Sequence, residues 1–192
     1  GEAARDRGCD FTVSHLTPAN YDDLVHATTT GRASGVIFLG QGTLHDEFNR
    51  LASTESRFVV WGAQFPGQKY CTVGTDNALG GRRATQHLIK LGRKRILFLG
   101  GSDPEAMQRY RGYTEALQEA GMPIDDALSA RVEFEAESAE AAVDRLMLLK
   151  IPFDGIVAAS DLIALGGIRA LHRKGIDVPG NISVGGYDNM LL

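Results

Sequence analysis

Two short polar clusters stand where an α/β chain would place groups able to hold a small polar molecule. Ser160 and Asp161 lie in a small-residue loop that opens an apolar-periodic helix, and Gly186, Tyr187 and Asp188 follow a short strand near the end of the chain. Neighbouring strand ends of an open α/β sheet are where such layers bind ligands. Of Ser160 and Asp161, one suits a helix cap or turn acceptor and the other a position facing the ligand. Asp188 is either a turn or cap acceptor or a ligand acceptor. Arg109 follows the loop from Gly100 to Met107 and opens a predicted helix. A guanidinium projecting there can hold hydroxyl or carboxylate oxygens in a planar fork, and the plainer reading is a solvated surface charge. Arg111 is expected to face elsewhere. Phe134, ahead of Glu135 and Glu137, is either a core aromatic or a platform on which a sugar or base ring stacks. Gln41 and Gly62 follow earlier strands, with Gln64 beyond, as further lining positions.

Other chemistries find no support. Leu99-Gly100-Gly101-Ser102-Asp103 is glycine-rich but lacks the lysine and spacing of a phosphate loop and the three glycines of a dinucleotide fingerprint. No G-x-S-x-G elbow presents a nucleophilic serine. His26 with Asp22 and Asp23, and His45 with Asp46 and Glu47, read as solvated helix faces rather than metal ligands. Asp125-Asp126 and Glu133, Glu135, Glu137 form no paired-carboxylate site. Neither enzyme activity, metal nor cofactor is expected.

The elements that must position these residues alternate between strands and helices, the rhythm of βα units and parallel sheets. A helix stub over Glu2–Arg7, ended by Gly8, precedes strand Asp10–Ser14, helix Ala19–Thr29, strand Gly35–Leu39, helix Leu44–Ala52 and strand Phe58–Trp61. After the Pro66-Gly67 turn comes strand Tyr70–Gly74. A second series runs through helix Ala78–Leu91, strand Arg95–Leu99, helix Gln108–Ala120, strand Ala130–Phe134 and helix Ser138–Leu149, then strand Gly155–Ala158, helix Leu162–Lys174 and strand Ile182–Gly185. Gly92, Gly121 and Gly175 suit left-handed helix caps. The helix-free stretch from Gln64 to Thr75 breaks the rhythm and reads as a crossover between two lobes. No strand precedes the first helix, which would leave a central sheet edge open. The chain is therefore expected to be an excerpt, truncated at both ends: an incomplete N-terminal lobe over residues 1–75, a C-terminal lobe over 76–186, and a crossover back toward the first lobe over 187–192.

Composition narrows the classes. Apolar residues make up 43% of the 192-residue chain and charged ones 23%, ordinary for a globular protein. A net charge of −4 provides no basic footprint for nucleic acid. No apolar run approaches the roughly 20 residues of a membrane span, and the opening residues form no signal peptide. Cys9 and Cys71 are too few for a disulfide framework, and Cys71, in an alternating strand pattern, is expected to be a buried reduced thiol. A cytoplasmic location is expected.

From about Val73 onward the residues resemble the sensor domains of the LacI/GalR transcription regulators. The resemblance is carried by Asp76-Asn77 with Gly80-Gly81, then His87-Leu88-Ile89, Leu91-Gly92 and Arg95-Ile96. It continues in Arg109-Tyr110-Arg111-Gly112-Tyr113 with Ala116-Leu117, and in Ala159-Ser160-Asp161 with Ala164-Leu165-Gly166. Val178-Pro179, Ile182-Ser183-Val184 and Gly186-Tyr187-Asp188-Asn189 complete it. Ala3-Ala4, Gly8 and Ser34-Gly35-Val36-Ile37 fit more loosely. The resemblance implies a type-I periplasmic-binding-protein fold: an α/β architecture of two Rossmann-like lobes with parallel sheets and a ligand cleft between them.

It also implies roles. In the family, the arginine three residues before the glycine of this helix binds the effector, which selects Arg109; the aspartate matching Asp188 takes ligand hydroxyls or amines, and an aromatic near Phe134 stacks on effectors. Where Ser160 stands, asparagine or another polar residue is frequent, so serine's shorter reach suggests a larger or water-bridged ligand. A sugar-binding member has an aspartate where this chain has Gly62, a departure that weakens assignment to the same sugar. The implied function is the ligand-sensing and dimerisation domain of a LacI-type regulator, a cytoplasmic homodimer without membrane contact. It would bind a small effector, a sugar or derivative, and control operator DNA through a separate helix-turn-helix headpiece. The rival is a periplasmic sugar-binding protein of an ATP-driven transporter, which shares the fold and similar strand-end residues.

Overall fold

A computed structural model describes residues 5–10, 12–30, 33–55 and 57–190. Its elements are α1 (Tyr21–Thr29), β1 (Val36–Leu39), α2 (His45–Leu51), β2 (Phe58–Trp61), β3 (Thr72–Val73), α3 (Asn77–Lys90), β4 (Ile96–Gly100), α4 (Pro104–Glu119), β5 (Ser129–Arg131), α5 (Ala136–Leu148), β6 (Gly155–Ala158), α6 (Asp161–Arg173) and β7 (Ser183–Gly185). They form a three-stranded sheet in the order β1-β2-β3 and a four-stranded sheet in the order β5-β4-β6-β7. The α/β class is as expected. Contacts divide the chain into two compact units. One takes residues up to Val60 with Phe65–Cys71; the other takes Trp61–Gln64 and everything from Thr72 onward.

The first unit has an aromatic core. Phe38, Phe48, Phe58 and Tyr70 pack with Leu24, Leu51 and Val60, and the Phe38 and Phe48 rings meet edge to face at 5.1 Å. Asn20 starts α1 by accepting the Asp23 amide at 3.0 Å. Two expected strands change here. Positions 10 and 12–14 of the expected first strand are irregular and exposed, with Ser14 only taking a local bond from the Leu16 amide; Phe11 lies outside the described residues. Glu2–Ala4 of the helix stub lie outside them too, and the turn from Arg5 closes at Gly8, whose φ is 67°. The expected strand Tyr70–Gly74 shortens to β3. Its alternation turns Tyr70 inward and leaves Cys71 exposed, the opposite of the expected buried thiol. Period-two alternation forces that choice: once the aromatic takes the core face, its neighbour takes the other.

The second unit is a parallel layer covered on both faces. β4 pairs with β5 through Phe98↔Ser129 and with β6 through Ile96↔Gly155, and β6 pairs with β7 through Gly155↔Ser183. β4 and β6 are buried at every residue, as the unbroken runs Ile-Leu-Phe-Leu and Gly-Ile-Val-Ala require of strands covered on both faces. α3 packs on α4, and α5 on α6. The first pair approaches closely because a Cβ at Gly112 would collide with the Ala78 carbonyl and one at Gly81 with the Arg109 carbonyl. The Tyr113 hydroxyl donates to the Ile96 carbonyl at 2.8 Å and so ties α4 to β4; burial raises that hydroxyl's pKa above its ordinary value. The strand expected over Ala130–Phe134 ends at Arg131, so Phe134 sits in the following loop.

Candidate functional site

Topology picks out one strand-end crevice in the second unit. From β4 the chain passes through α4 to β5 on one side, whereas from β6 it passes through α6 to β7 on the other. Adjacent strands whose connections leave in opposite directions open a crevice at their carboxyl ends. Arg109 reaches it from α4. That helix begins at Pro104, earlier than the expected Gln108, because Asp103 accepts the Ala106 amide at 2.8 Å and proline suits the first turn. Arg109 therefore projects from the second turn rather than from the helix start.

The guanidinium is only 12% exposed and is held on several sides. Its Nε donates to Asn77 Oδ1 at 2.9 Å, and Nη1 donates to the carbonyl of Ala159, the residue after β6. The Tyr187 ring lies 3.6 Å from its Cζ, a cation–π stack. Nη2 stands 3.9 Å from Asp188 Oδ1. That gap is too long for a direct hydrogen bond and leaves donor and acceptor side by side for a third group.

The residues after β7 close the arrangement. The Tyr187 hydroxyl meets Thr75 Oγ1 at 2.8 Å, and a Cβ at Gly80 would overlap the edge of the Tyr187 ring. Asp161 anchors the tail, its amide donating to the Tyr187 carbonyl at 2.8 Å and its Oδ2 accepting the Met190 amide at 2.7 Å. Asp188 has φ 103° and Asn189 φ 56°, backbone conformations that glycine favours and that cluster at functional sites. Partial burial raises the Asp188 pKa above its ordinary 3.8; Arg109 works against that rise and Asp161 adds to it.

The other expected residues fall as follows. Ser160 is fully buried, and its Oγ caps α6 by accepting the Ile163 amide at 3.3 Å. Its hydroxyl is thus a structural acceptor rather than a poised nucleophile. Phe134 is 57% exposed between β5 and α5, so it is not a core residue. Gly62 is buried, with its amide bonded to the Val73 carbonyl at 3.1 Å. Gln41, in the first unit, is buried with its side chain on Tyr70; burial raises the Tyr70 hydroxyl's pKa and that hydrogen bond opposes the rise. Arg111 is 71% exposed and pairs with Glu115 at 2.8 Å. It also borders a hollow of about 290 Å3 lined by Gln64, Thr75, Asp76, Asn77 and Gln108. Asn77, Thr75 and Gln108 were not singled out as site residues from sequence. The available signal was an asparagine directly after the cap Asp76, in a helix first turn where solvent normally serves polar groups. Among the described residues no group of three or more His, Cys, Asp or Glu side chains could hold a metal, and no helix is long and apolar enough to cross a membrane.

Residues 85–192 match the periplasmic binding protein-like domain family. The chain is 38% identical over 197 aligned positions to the HTH-type transcriptional regulator CelR of Thermobifida fusca, covering 98% of this chain and 57% of that protein. It is 34% identical over 164 positions to the HTH-type transcriptional repressor PurR of Actinobacillus pleuropneumoniae serotype 3, covering 83% and 48%. Among solved structures it resembles a LacI family transcriptional regulator from Mycobacterium smegmatis with a TM-score of 0.82 at 28% identity, covering 98% and 71%. It also resembles a CelR–cellobiose complex with a TM-score of 0.82 at 30% identity, covering 98% and 59%. The chain spans about half the length of the curated relatives it matches.

Proposed function

Because the chain belongs to the periplasmic-binding-protein-like effector domains of the LacI/GalR regulators, we propose that it senses a small polyhydroxylated effector, a sugar or sugar derivative, for a DNA-binding regulator. The observation that carries this reading is the split pair at the crevice. Arg109 Nη2 and Asp188 Oδ1 stand 3.9 Å apart, one donor and one acceptor, and the guanidinium lies over the face of Tyr187. A sugar hydroxyl both donates and accepts, so it can bridge the two. Asp161 holds the tail that carries Tyr187 and Asp188, Ser160 caps the helix that Asp161 opens, and Phe134 and Gly62 are further lining positions in this reading. Relatives include a regulator solved with cellobiose, which makes a β-linked disaccharide the first effector to test.

Nothing in this role needs bond-making. The effector shifts operator affinity only as far as it binds one conformation of the protein better than another. The net charge of −4 leaves operator contact to a separate headpiece, in a cytoplasmic homodimer. The test is a thermal-shift screen of mono- and disaccharides against the full-length protein, followed by operator retardation with each hit. A sugar that raises the melting temperature and changes operator affinity supports the reading. Stabilisation by no sugar, with operator binding intact, overturns the effector class.

A further inference from the structure

We infer that Asn77 is the positioning residue that fixes the Arg109 guanidinium for ligand, an inference that rests on the effector role given to Arg109 above. Asn77 is the first residue of α3 and is 2% exposed, yet Asp76, not Asn77, caps that helix by accepting the Leu79 amide at 2.9 Å. A buried amide with no part in capping is expensive to keep unless its hydrogen bonds are needed.

Its bonds form a chain of one polarity. Arginine only donates, so the Arg109 Nε bond at 2.9 Å obliges Asn77 to present Oδ1. Asn77 Nδ2 must then face Gln108 Oε1, which it meets at 3.3 Å. Gln108 in turn presents Nε2, which donates to the Gln64 carbonyl at 2.8 Å. Each amide orientation follows from the one before, and the series ends on a backbone acceptor. The segment around Gln64 is held a second time, by the Ala63 amide on Glu105 Oε1 at 3.0 Å. Asn77 thus sets the plane of the guanidinium, with Nη1 on Ala159 and Nη2 left beside Asp188.

Two substitutions separate this role from plain packing. Asn77→Leu keeps the volume and removes the acceptor. Asn77→Asp keeps an acceptor for Arg109 Nε and loses the donor toward Gln108. The experiment is time-resolved phenylglyoxal labelling of the full-length protein without ligand, read arginine by arginine by mass spectrometry. Arg93, held on Ser183 Oγ and on the carbonyls of Pro179 and Asn181, is the internal reference for general loosening. Asn77→Leu should label Arg109 about tenfold faster than wild type with Arg93 unchanged, the factor expected for one lost hydrogen bond to a charged group, and Asn77→Asp should restore the slow rate. An unchanged Arg109 rate in Asn77→Leu, a parallel rise at Arg93, or an equal rise in Asn77→Asp would each overturn the assignment. Because the readout needs no effector, a failure of cellobiose or any other sugar to bind would count against the proposed function and not against this result.

Discussion

The two sheets follow the same βα grammar and end in different states. In the second unit, β4 and β6 are buried throughout. In the first, β1 and β2 carry equally apolar sequences, Val-Ile-Phe-Leu and Phe-Val-Val-Trp, yet Ile37, Leu39 and Trp61 stand more than half exposed while Phe38 and Val60 are buried. An unbroken apolar strand anticipates cover on both faces; only the second sheet has it among the described residues. The split-pair crevice also belongs to the second unit. Its donor stands on α4 and its acceptor after β7, both packed against a filled core, the condition for presenting a donor and an acceptor at a fixed separation.

Truncating one apolar side chain in each sheet separates the two states. Leu99→Ala, at a fully buried β4 position, should cost about 2–5 kcal/mol of stability in the full-length protein. Leu39→Ala, at a position 75% exposed, should cost far less. Urea unfolding of both variants decides, and equal losses would mean that the bare face of the first sheet is filled in the working protein.

Gly112→Ala probes how α3 meets α4. Its Cβ would collide with the Ala78 carbonyl, so the helices must part or strain, at about 1–3 kcal/mol. Arg109 and Asn77 sit on these two helices, so effector affinity should fall with stability. Wild-type affinity in a destabilised Gly112→Ala protein would show that the helix contact does not position the site.

Asp188 couples the site to pH. Its folded pKa is raised, so the native state takes up a proton before the unfolded chain does. As pH falls through that raised value toward the ordinary 3.8, this group adds to stability, and above it the contribution is lost. If Asp188 accepts a ligand hydroxyl, as proposed, effector binding runs the other way, because protonation removes the acceptor beside Arg109. Affinity should therefore decline on acidification while the melting temperature does not follow it, and Asp188→Asn should bind weakly without that pH dependence and with an unreduced melting temperature at pH 7. Calorimetry across the acid limb checks both. A large loss of stability in Asp188→Asn would make Asp188 structural.

Much of this was readable from the chain. Three helix starts of the second unit fell within two residues of their expected places, because small or polar caps precede apolar-periodic runs: α6 after Ser160 is the plainest. α4 starts four residues before the expected Gln108, because the cap Asp103-Pro104 sets its start ahead of the apolar period. The expected strand at Asp10–Ser14 failed for another reason. Val13 finds no partner strand among the described residues, and a strand is a property of pairs, not of a segment. In the candidate site, Asp188, Tyr187 and Asp161 were readable from their place after strands and Arg109 from the family resemblance alone, and the structure brings the four into one contact set. Asn77 and Gln108 were not, since a buried amide chain is fixed by distances across 31 and 44 residues of sequence that no local pattern carries.

A ligand gripped between Arg109 and Asp188 would be felt in calorimetric titration of two arginine variants with the effector found by screening. Arg109→Ala should lose about 1.5–3 kcal/mol of affinity, roughly 10- to 150-fold, while remaining folded and able to bind operator. Arg111→Ala loses only an exposed pair with Glu115 and should stay within about 0.5 kcal/mol of wild type. Equal affinity in Arg109→Ala and wild type would mean that no ligand is held between the two residues. A larger loss at Arg111 would do so too, and would move the effector to the hollow that Arg111 borders with Thr75 and Gln108.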